Sequence, residues 1–163
     1  MTMSARPVAL ITGGAKRVGA AIATEFARRG LDLIVTYNTS DDEARALAQT
    51  VEHEHGVHVK TMACDLKDPD AAAQACARAA RDVGRLDVLV HNASAYFPTP
   101  LDANLTWATV RDLYAINAAA PLCITAALAP LLRASTLPGG GSVVAMADIH
   151  AMGSPRRDFA AYG

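Results

Sequence analysis

Short apolar runs alternate with longer amphipathic segments along the 163 residues. VALIT (residues 8–12), LDLIVTY (31–37), VHVKTM (57–62), LDVLVH (86–91) and GSVVAMA (141–147) are rich in Val, Ile and Leu without strict alternation. Strands with one wet face alternate, so these runs predict parallel strands buried on both faces. Helical patterns lie between them. Val18, Ile22 and Phe26 share one helix face, and Gly30 after Arg28 and Arg29 marks its stop. Ser40 and Glu43 have the spacing of a capping box ahead of Ala44, Leu47 and Val51. Asp68-Pro69 offers a cap and a proline for the first helical position. A long helical segment runs from Trp107 to Arg133 before the fifth strand. This β-α alternation predicts one α/β domain over residues 1–163: a doubly wound parallel sheet with helices on both faces, whose ligands gather at the carboxyl ends of the strands.

Charge and composition narrow the partners. A formal net charge of -1 argues against a nucleic-acid binder, which needs a basic face to offset backbone phosphates. No apolar run reaches the ~20 residues that a membrane helix needs, and MTMSARPVAL lacks the apolar stretch of a secretory signal. Cys64, Cys76 and Cys123 are odd in number and far apart, which suggests neither a disulfide framework nor a zinc site. His53, His55 and His58 straddle a helix end and a strand start among Glu52 and Glu54, the pattern of a solvated rim rather than of metal ligands. The expectation is a cytoplasmic protein without a metal, acting on a small molecule.

The first strand runs straight into TGGAKRVG (residues 12–19) and then a helix. Glycines there allow a tight turn and close approach of a pyrophosphate, and the helix N-terminus supplies N–H donors and positive potential. The tip of the second strand bears on the cofactor. An NAD site wants an acid roughly 20 residues past the glycines for the ribose 2′-hydroxyl. Here the tip reads Tyr37-Asn38-Thr39-Ser40, with Asp32 at the wrong end of the strand and Asp41 and Asp42 already in the next helix. Hydroxyl and amide donors near Lys16 and Arg17 suit a 2′-phosphate, so NADP(H) is the expected cofactor; Ser40 also has the place of a simple helix cap.

TGGAKRVG, Cys64-Asp65-Leu66, His91-Asn92-Ala93-Ser94, Asn117 and Tyr162 fall in an order that resembles the short-chain dehydrogenases/reductases. Arg17 stands where the family's turn usually has its middle glycine, NASAYFPTPL (residues 92–101) replaces the usual Asn-Ala-Gly, and Asp148 follows the fifth strand where most members have serine. These departures resemble the pteridine reductases and dihydromonapterin reductases. The resemblance implies a Rossmann-type fold with strand order 3-2-1-4-5 and a cofactor site of Gly13, Lys16, Arg17, Val18, Gly19, Asn38, Thr39, Ser40, Asp65, Leu66, Asn92, Ala93 and Ser94. Asp65 and Leu66 would hold the adenine, and Asn92 to Ser94 would line the nicotinamide ribose. Arg17, Ser94, Tyr96 and Phe97 would meet the substrate, with Tyr96 or Phe97 stacking a flat pterin or else anchoring the loop.

By the same resemblance Tyr162, Asp148 and Asn117 form the catalytic set. Reduction of a C=N bond needs a hydride at carbon and a proton at nitrogen, so an acid must face the cofactor. A phenol with an ordinary pKa near ~10 needs neighbouring positive charge to serve at neutral pH, which the family takes from a lysine four residues later. Asp148 acts the other way, raising that pKa while accepting the phenol's hydrogen bond. Pro121 has no N–H for the carbonyl of Asn117, which frees that oxygen to hold a water in a proton relay. Arg156 and Arg157 suit either a carboxylated substrate tail or a solvated loop.

The function expected is that of an NADPH-dependent oxidoreductase acting on a dihydropterin or dihydrofolate. The alternatives are a general carbonyl or 3-oxoacyl thioester reductase, and a nucleotide-binding fragment that cannot catalyse. The family lysine and last strands would lie past Gly163, which makes these residues the N-terminal two-thirds of a longer reductase. Family members assemble as tetramers or dimers through their long helices, and the Ala-rich face from Ala118 to Leu132 fits such packing or an intrachain core.

Overall fold

Alternate side chains of the first apolar run enter two different cores, which explains why the run shows no polar face. Residues 6–148 and 157–161 are described in a computed structural model. In β1 (Val8–Ile11), Val8 and Leu10 join one buried cluster while Ala9 and Ile11 join the other. β2 (Asp32–Tyr37), β3 (Val59–Ala63), β4 (Val88–His91) and β5 (Ser142–Ala145) complete a parallel sheet. Its order is β3-β2-β1-β4-β5, as the resemblance implies, so β1 lies at the centre with Ala9 paired to Leu33 on one side and Val88 on the other.

α1 (Arg17–Arg28) and α2 (Asp41–His55) cover one face of the sheet. α3 (Pro69–Val83) and α5 (Ala120–Arg133) cover the opposite face, where Cys76, Ala80, Ile124 and Leu128 are buried together. α4 (Trp107–Tyr114) runs into α5 through a widened π turn at Ala115–Ala119. Asp68 caps α3, its carboxylate accepting the Ala71 N–H at 3.0 Å, with Pro69 at the first helical position as expected.

Three local expectations are corrected. The most buried face of α1 is Gly19, Ala23 and Ala27 rather than Val18, Ile22 and Phe26. Small residues let the helix approach the sheet closely; Ile22 and Phe26 flank the contact, and Val18 is 56% exposed. Ser40 does sit at the N-cap of α2, but its side chain makes no capping bond within the described residues. Glu43, the other half of the expected box, instead turns to Lys16 at 3.8 Å. Finally, Trp107–Arg133 is a helix of 27 residues that by length and composition is apolar enough to cross a membrane. Its residues 113–132 carry no charge, and only Asn117, Thr125 and the prolines Pro121 and Pro130 break their apolar run. Here it packs one stripe, Ala120, Ile124, Leu128 and Leu132, into the core.

The amino ends of the strands are tied by one fully buried carboxylate. Asp87 accepts the Val8 N–H at 2.8 Å, both guanidinium arms of Arg85 at 2.8 Å and the Ser135 hydroxyl at 2.6 Å. Burial pushes this carboxyl up, but Arg85, Ser135 and Val8 together hold it below the usual carboxylate range. Removing one member of such a buried charge pair costs about 3–5 kcal/mol, because the other is left uncompensated.

Candidate functional site

Hydroxyl and amide side chains at the carboxyl ends of β1, β2 and β4 hold the glycine turn in place. The Thr12 hydroxyl accepts the backbone N–H groups of Asn92 and Ala93, both at 3.1 Å. Asn92 Nδ2 donates to the carbonyls of Thr12 and Gly13, both at 3.0 Å. From β2, the Thr36 carbonyl accepts the Gly14 N–H at 3.1 Å and its hydroxyl lies 3.4 Å from the Gly13 nitrogen. Gly13 needs its lack of a side chain twice, since its φ is +61° and a Cβ would sit 3.0 Å from that of Ala93. Gly19 needs it more: a Cβ there would lie 2.3 Å from the Gly13 carbonyl oxygen and 2.6 Å from Asn92 Nδ2.

The turn opens into a cleft of about 460 Å³. The thirteen residues expected at the cofactor all line it: Gly13, Lys16, Arg17, Val18 and Gly19 from the turn, Asn38 to Ser40, Asp65 and Leu66, and Asn92 to Ser94. Ala15, Thr36, Tyr37, Cys64, Ala95 and Ile116 line it too and were missed. Thr36 and Cys64 carried a usable signal, since both stand at strand ends beside residues already singled out.

The cleft's electrostatics differ between its two helix starts. The first turn of α1 contains no acidic residue, so its N–H groups and the positive end of its dipole face the cleft uncompensated. The first turn of α2 carries Asp41, Asp42 and Glu43, whose charges offset that helix's dipole. Asp41 is already engaged, accepting from the Tyr37 hydroxyl and pairing with Arg45. That hydrogen bond pushes the Tyr37 phenol above its ordinary range. Arg17, a solvent-exposed residue, has φ of +52°, a left-handed conformation that costs a side-chain-bearing residue about 1–2 kcal/mol.

Two buried groups stand at the strand ends, Cys64 on the cleft's wall and His91 at the end of β4. A hydrogen bond from Cys76 lowers the Cys64 thiol below its ordinary range, against the effect of burial, while Cys76 is pushed up. His91 is buried with Nε2 2.8 Å from the Thr125 hydroxyl, and its Nδ1 has no partner among the described residues. Burial lowers its pKa and favours the neutral ring.

Asn117, Tyr96, Phe97 and Asp148 do not line the cleft. Asn117 sits in the π turn; its Oδ1 accepts from the Ala95 N–H at 2.9 Å and the Ser94 hydroxyl at 3.1 Å, and its Nδ2 donates to the Ala95 carbonyl at 2.9 Å. The side chain thus holds the loop after β4 against the helix. The helix widens just ahead of Pro121, with the Ala120 N–H reaching back five residues to Ala115. Tyr96 and Phe97 stand farther along the loop. The Tyr96 ring stacks on Phe159, with centroids 4.5 Å apart and planes 13° apart. Asp148 is half-buried just after β5. Tyr162 and Arg156 lie outside the described residues, and Arg157 is exposed.

Comparison with known proteins agrees with this architecture. The family described as short chain dehydrogenase matches residues 7–163. An uncharacterized oxidoreductase of Mycobacterium tuberculosis (strain CDC 1551 / Oshkosh) is 36% identical over 157 residues, covering 96% of this chain and 57% of that protein. Pteridine reductase 1 of Leishmania tarentolae is 33% identical over 150 residues, covering 79% of this chain and 52% of that protein. The crystal structure of a short chain dehydrogenase from Burkholderia cenocepacia J2315 in complex with NADP superposes with a TM-score of 0.86 at 31% identity, over 96% of this chain and 61% of that one. The chain spans little more than half the length of these curated relatives. On the family match and this fold, the chain belongs to the short chain dehydrogenase family.

Proposed function

We propose that these residues form the cofactor-binding part of an NADPH-dependent reductase that passes hydride to a pterin, either a dihydropterin or dihydrofolate. The observation that carries the cofactor choice is the cleft's charge pattern. α1 presents an acid-free N-terminus beside Lys16 and Arg17, and the β2 tip offers Asn38, Thr39 and Ser40 without a carboxylate. That donor set fits a pyrophosphate and a 2′-phosphate, and similar solved structures hold NADP or NADPH. Gly13, Val18 and Gly19 would admit the pyrophosphate, Asp65 and Leu66 would hold the adenine, and Asn92, Ala93 and Ser94 would line the ribose path. NADPH supplies the hydride when bound. Tyr162 would deliver the proton, oriented by Asp148, while Asn117 keeps Ser94 and Ala95 in place.

Arg17 supports the pterin over other substrates. It occupies a left-handed position where glycine would be unstrained, so its side chain is retained against a conformational cost. A guanidinium at that point can both offset cofactor phosphate and donate to a heterocycle in the cleft. The Leishmania relative is named as a pteridine reductase. One observation favours a second reading, a general carbonyl or 3-oxoacyl thioester reductase: Tyr96 is stacked on Phe159, and neither it nor Phe97 lines the cleft. NADPH oxidation measured with dihydrobiopterin, dihydrofolate and an acetoacetyl thioester separates the two, and turnover of the thioester alone overturns the pterin.

Assembly as a tetramer or dimer is supported by an apolar stripe on the outer face of α4 and α5, where Trp107, Tyr114 and Leu122 are exposed. Loss of the oligomer in a Trp107→Glu, Leu122→Glu double variant, measured by light scattering, tests that stripe.

A further inference from the structure

The loop after β4 is exposed on both sides of one buried polar residue. Phe97 and Leu101 face solvent, yet Thr99 between them is only 2% exposed. Its sequence context prepares it for this. Pro98 and Pro100 flank it, and a residue preceding proline is driven out of the helical region into extended backbone. Both prolines also lack an N–H, which leaves Thr99 as the one backbone donor of residues 98–100. An extended residue with its donor and acceptor unclaimed by its neighbours is ready to pair with a distant strand.

The partner is the segment 158–161, about 60 residues away in sequence. The Thr99 N–H donates to the Asp158 carbonyl at 2.6 Å, and its carbonyl accepts the Ala160 N–H at 3.0 Å. These bonds make a parallel bridge between Thr99 and Phe159. The third bond uses the side chain: Thr99 Oγ1 accepts the Ala161 N–H at 3.1 Å. Asp158 takes a φ of +63° to enter this arrangement. Beside the clamp the Tyr96 and Phe159 rings stack, so the same residues join the aromatic part of the loop to the chain entering Tyr162.

We propose that Thr99 is a positioning residue of the reductase: its hydroxyl fixes the Ala161 amide, immediately before Tyr162, and so sets the proton donor relative to the loop carrying Tyr96. The inference rests on Tyr162 as the proton donor, and it extends that role by naming what holds the tyrosine's backbone. Packing alone does not require the hydroxyl, because valine fills the same volume. What valine cannot do is accept the Ala161 N–H. Misplacing a catalytic group by about 1 Å costs on the order of 100-fold in rate, so the loss of this one bond reads mainly in kcat.

The test compares Thr99→Val with Thr99→Ser in the protein at its natural length. Thr99→Val is expected to lower kcat by roughly 10- to 100-fold and to move the limb of the kcat–pH profile assigned to the tyrosine. NADPH affinity by fluorescence should stay within about twofold, because Thr99 lies outside the cofactor cleft. Thr99→Ser should recover most of the rate. Amide hydrogen exchange across residues 157–161 should be slow in the unaltered protein and fast in Thr99→Val. Unprotected exchange at Ala161 in the unaltered protein overturns the proposal even if the valine variant fails to fold. So does an unchanged kcat despite faster exchange, or a serine variant as impaired as the valine one. Turnover is followed with dihydrobiopterin and with an acetoacetyl thioester. If only the thioester is reduced, the pterin reading fails, while the Thr99→Val rate on the thioester still decides the clamp.

Discussion

Gly19→Ala introduces one methyl group where the turn, the helix and β4 meet. Its Cβ would lie 2.3 Å from the Gly13 carbonyl oxygen, 2.6 Å from Asn92 Nδ2 and 2.9 Å from the Gly14 Cα. Two of these three atoms are backbone, so no rotation of a flexible side chain relieves the contact. The turn must move away from α1, and Asn92 must give up its bonds to the Thr12 and Gly13 carbonyls. Each bond contributes about 0.5–1.5 kcal/mol, and the added methyl costs about 1–3 kcal/mol in overpacking strain. Alanine's helix preference over glycine returns at most about 1 kcal/mol. The net loss is about 1–5 kcal/mol, or a melting temperature lower by about 2–20 °C for a domain of this size. Gly30→Ala is the control: its φ is +82° with nothing within 4 Å of the added carbon, so only the backbone conformation is penalised, by about 1–2 kcal/mol. Thermal melts with and without NADPH, beside a fluorescence titration of the cofactor, measure both effects. Gly19→Ala should lose stability and also bind NADPH at least about tenfold more weakly, a difference of about 1.4 kcal/mol, while Gly30→Ala keeps its affinity. A Gly19→Ala protein that melts with the parent and binds NADPH equally well would refute the close-approach reasoning.

Arg17→Gly removes a left-handed side chain; denaturant unfolding should show stability preserved or raised by up to about 1 kcal/mol, while NADPH binding weakens more at low salt than at high. Burial depresses the His91 pKa, so below pH ~6.5 the unfolded chain binds a proton that the native ring refuses, and stability falls as pH drops toward the folded pKa. His91→Gln should remove that contribution, up to about 1.4 kcal/mol per pH unit, and parallel urea midpoints for the two proteins between pH 7.5 and 5.5 would contradict it. Asp87→Ala should cost about 3–5 kcal/mol in urea unfolding and leave NADPH affinity of the folded fraction unchanged, since the carboxylate lies at the opposite end of the sheet from the cleft.

What the sequence discloses is whatever repeats locally. The strands stand out because Val, Ile and Leu fill both faces, and the glycine turn because TGGAKRVG follows a strand and precedes a helix. The cleft was legible for the same reason: a doubly wound sheet brings its strand ends together, so the tips of β1, β2, β3 and β4 had to converge. The face of α1 was misjudged because periodicity favours the large residues Val18, Ile22 and Phe26, whereas the packing distance favours Gly19, Ala23 and Ala27. Ser40 and Glu43 have capping-box spacing, but a lysine from the turn, invisible to local spacing, captures the carboxylate. Thr99 is the extreme case. Pro98 and Pro100 prepare it to pair with a distant segment, but nothing near it in sequence says that the segment is 158–161.

The two ends of the sheet use polar groups in opposite ways. At the amino ends, Asp87 closes on Val8, Arg85 and Ser135, and Asp32 accepts the His58 N–H at 2.9 Å; these carboxylates gather donors to themselves. At the carboxyl ends, Thr36 and Asn92 spend hydrogen bonds on the backbone of the glycine turn and the Thr12 hydroxyl accepts the N–H groups of Asn92 and Ala93, which holds the turn's shape without filling the space in front of it. The N–H groups at the start of α1 are left facing that space with no acid to meet them. Lys16, Arg17 and Val18 at that helix start are exposed, so water satisfies its N–H groups and an anion could take the water's place. Gly19 and Asn92 belong to both regimes, because the same contacts that hold α1 against the sheet also shape the place where the phosphates would lie. Substitutions at the amino ends should therefore alter stability alone, whereas those at Gly19 and Asn92 should alter stability and affinity together.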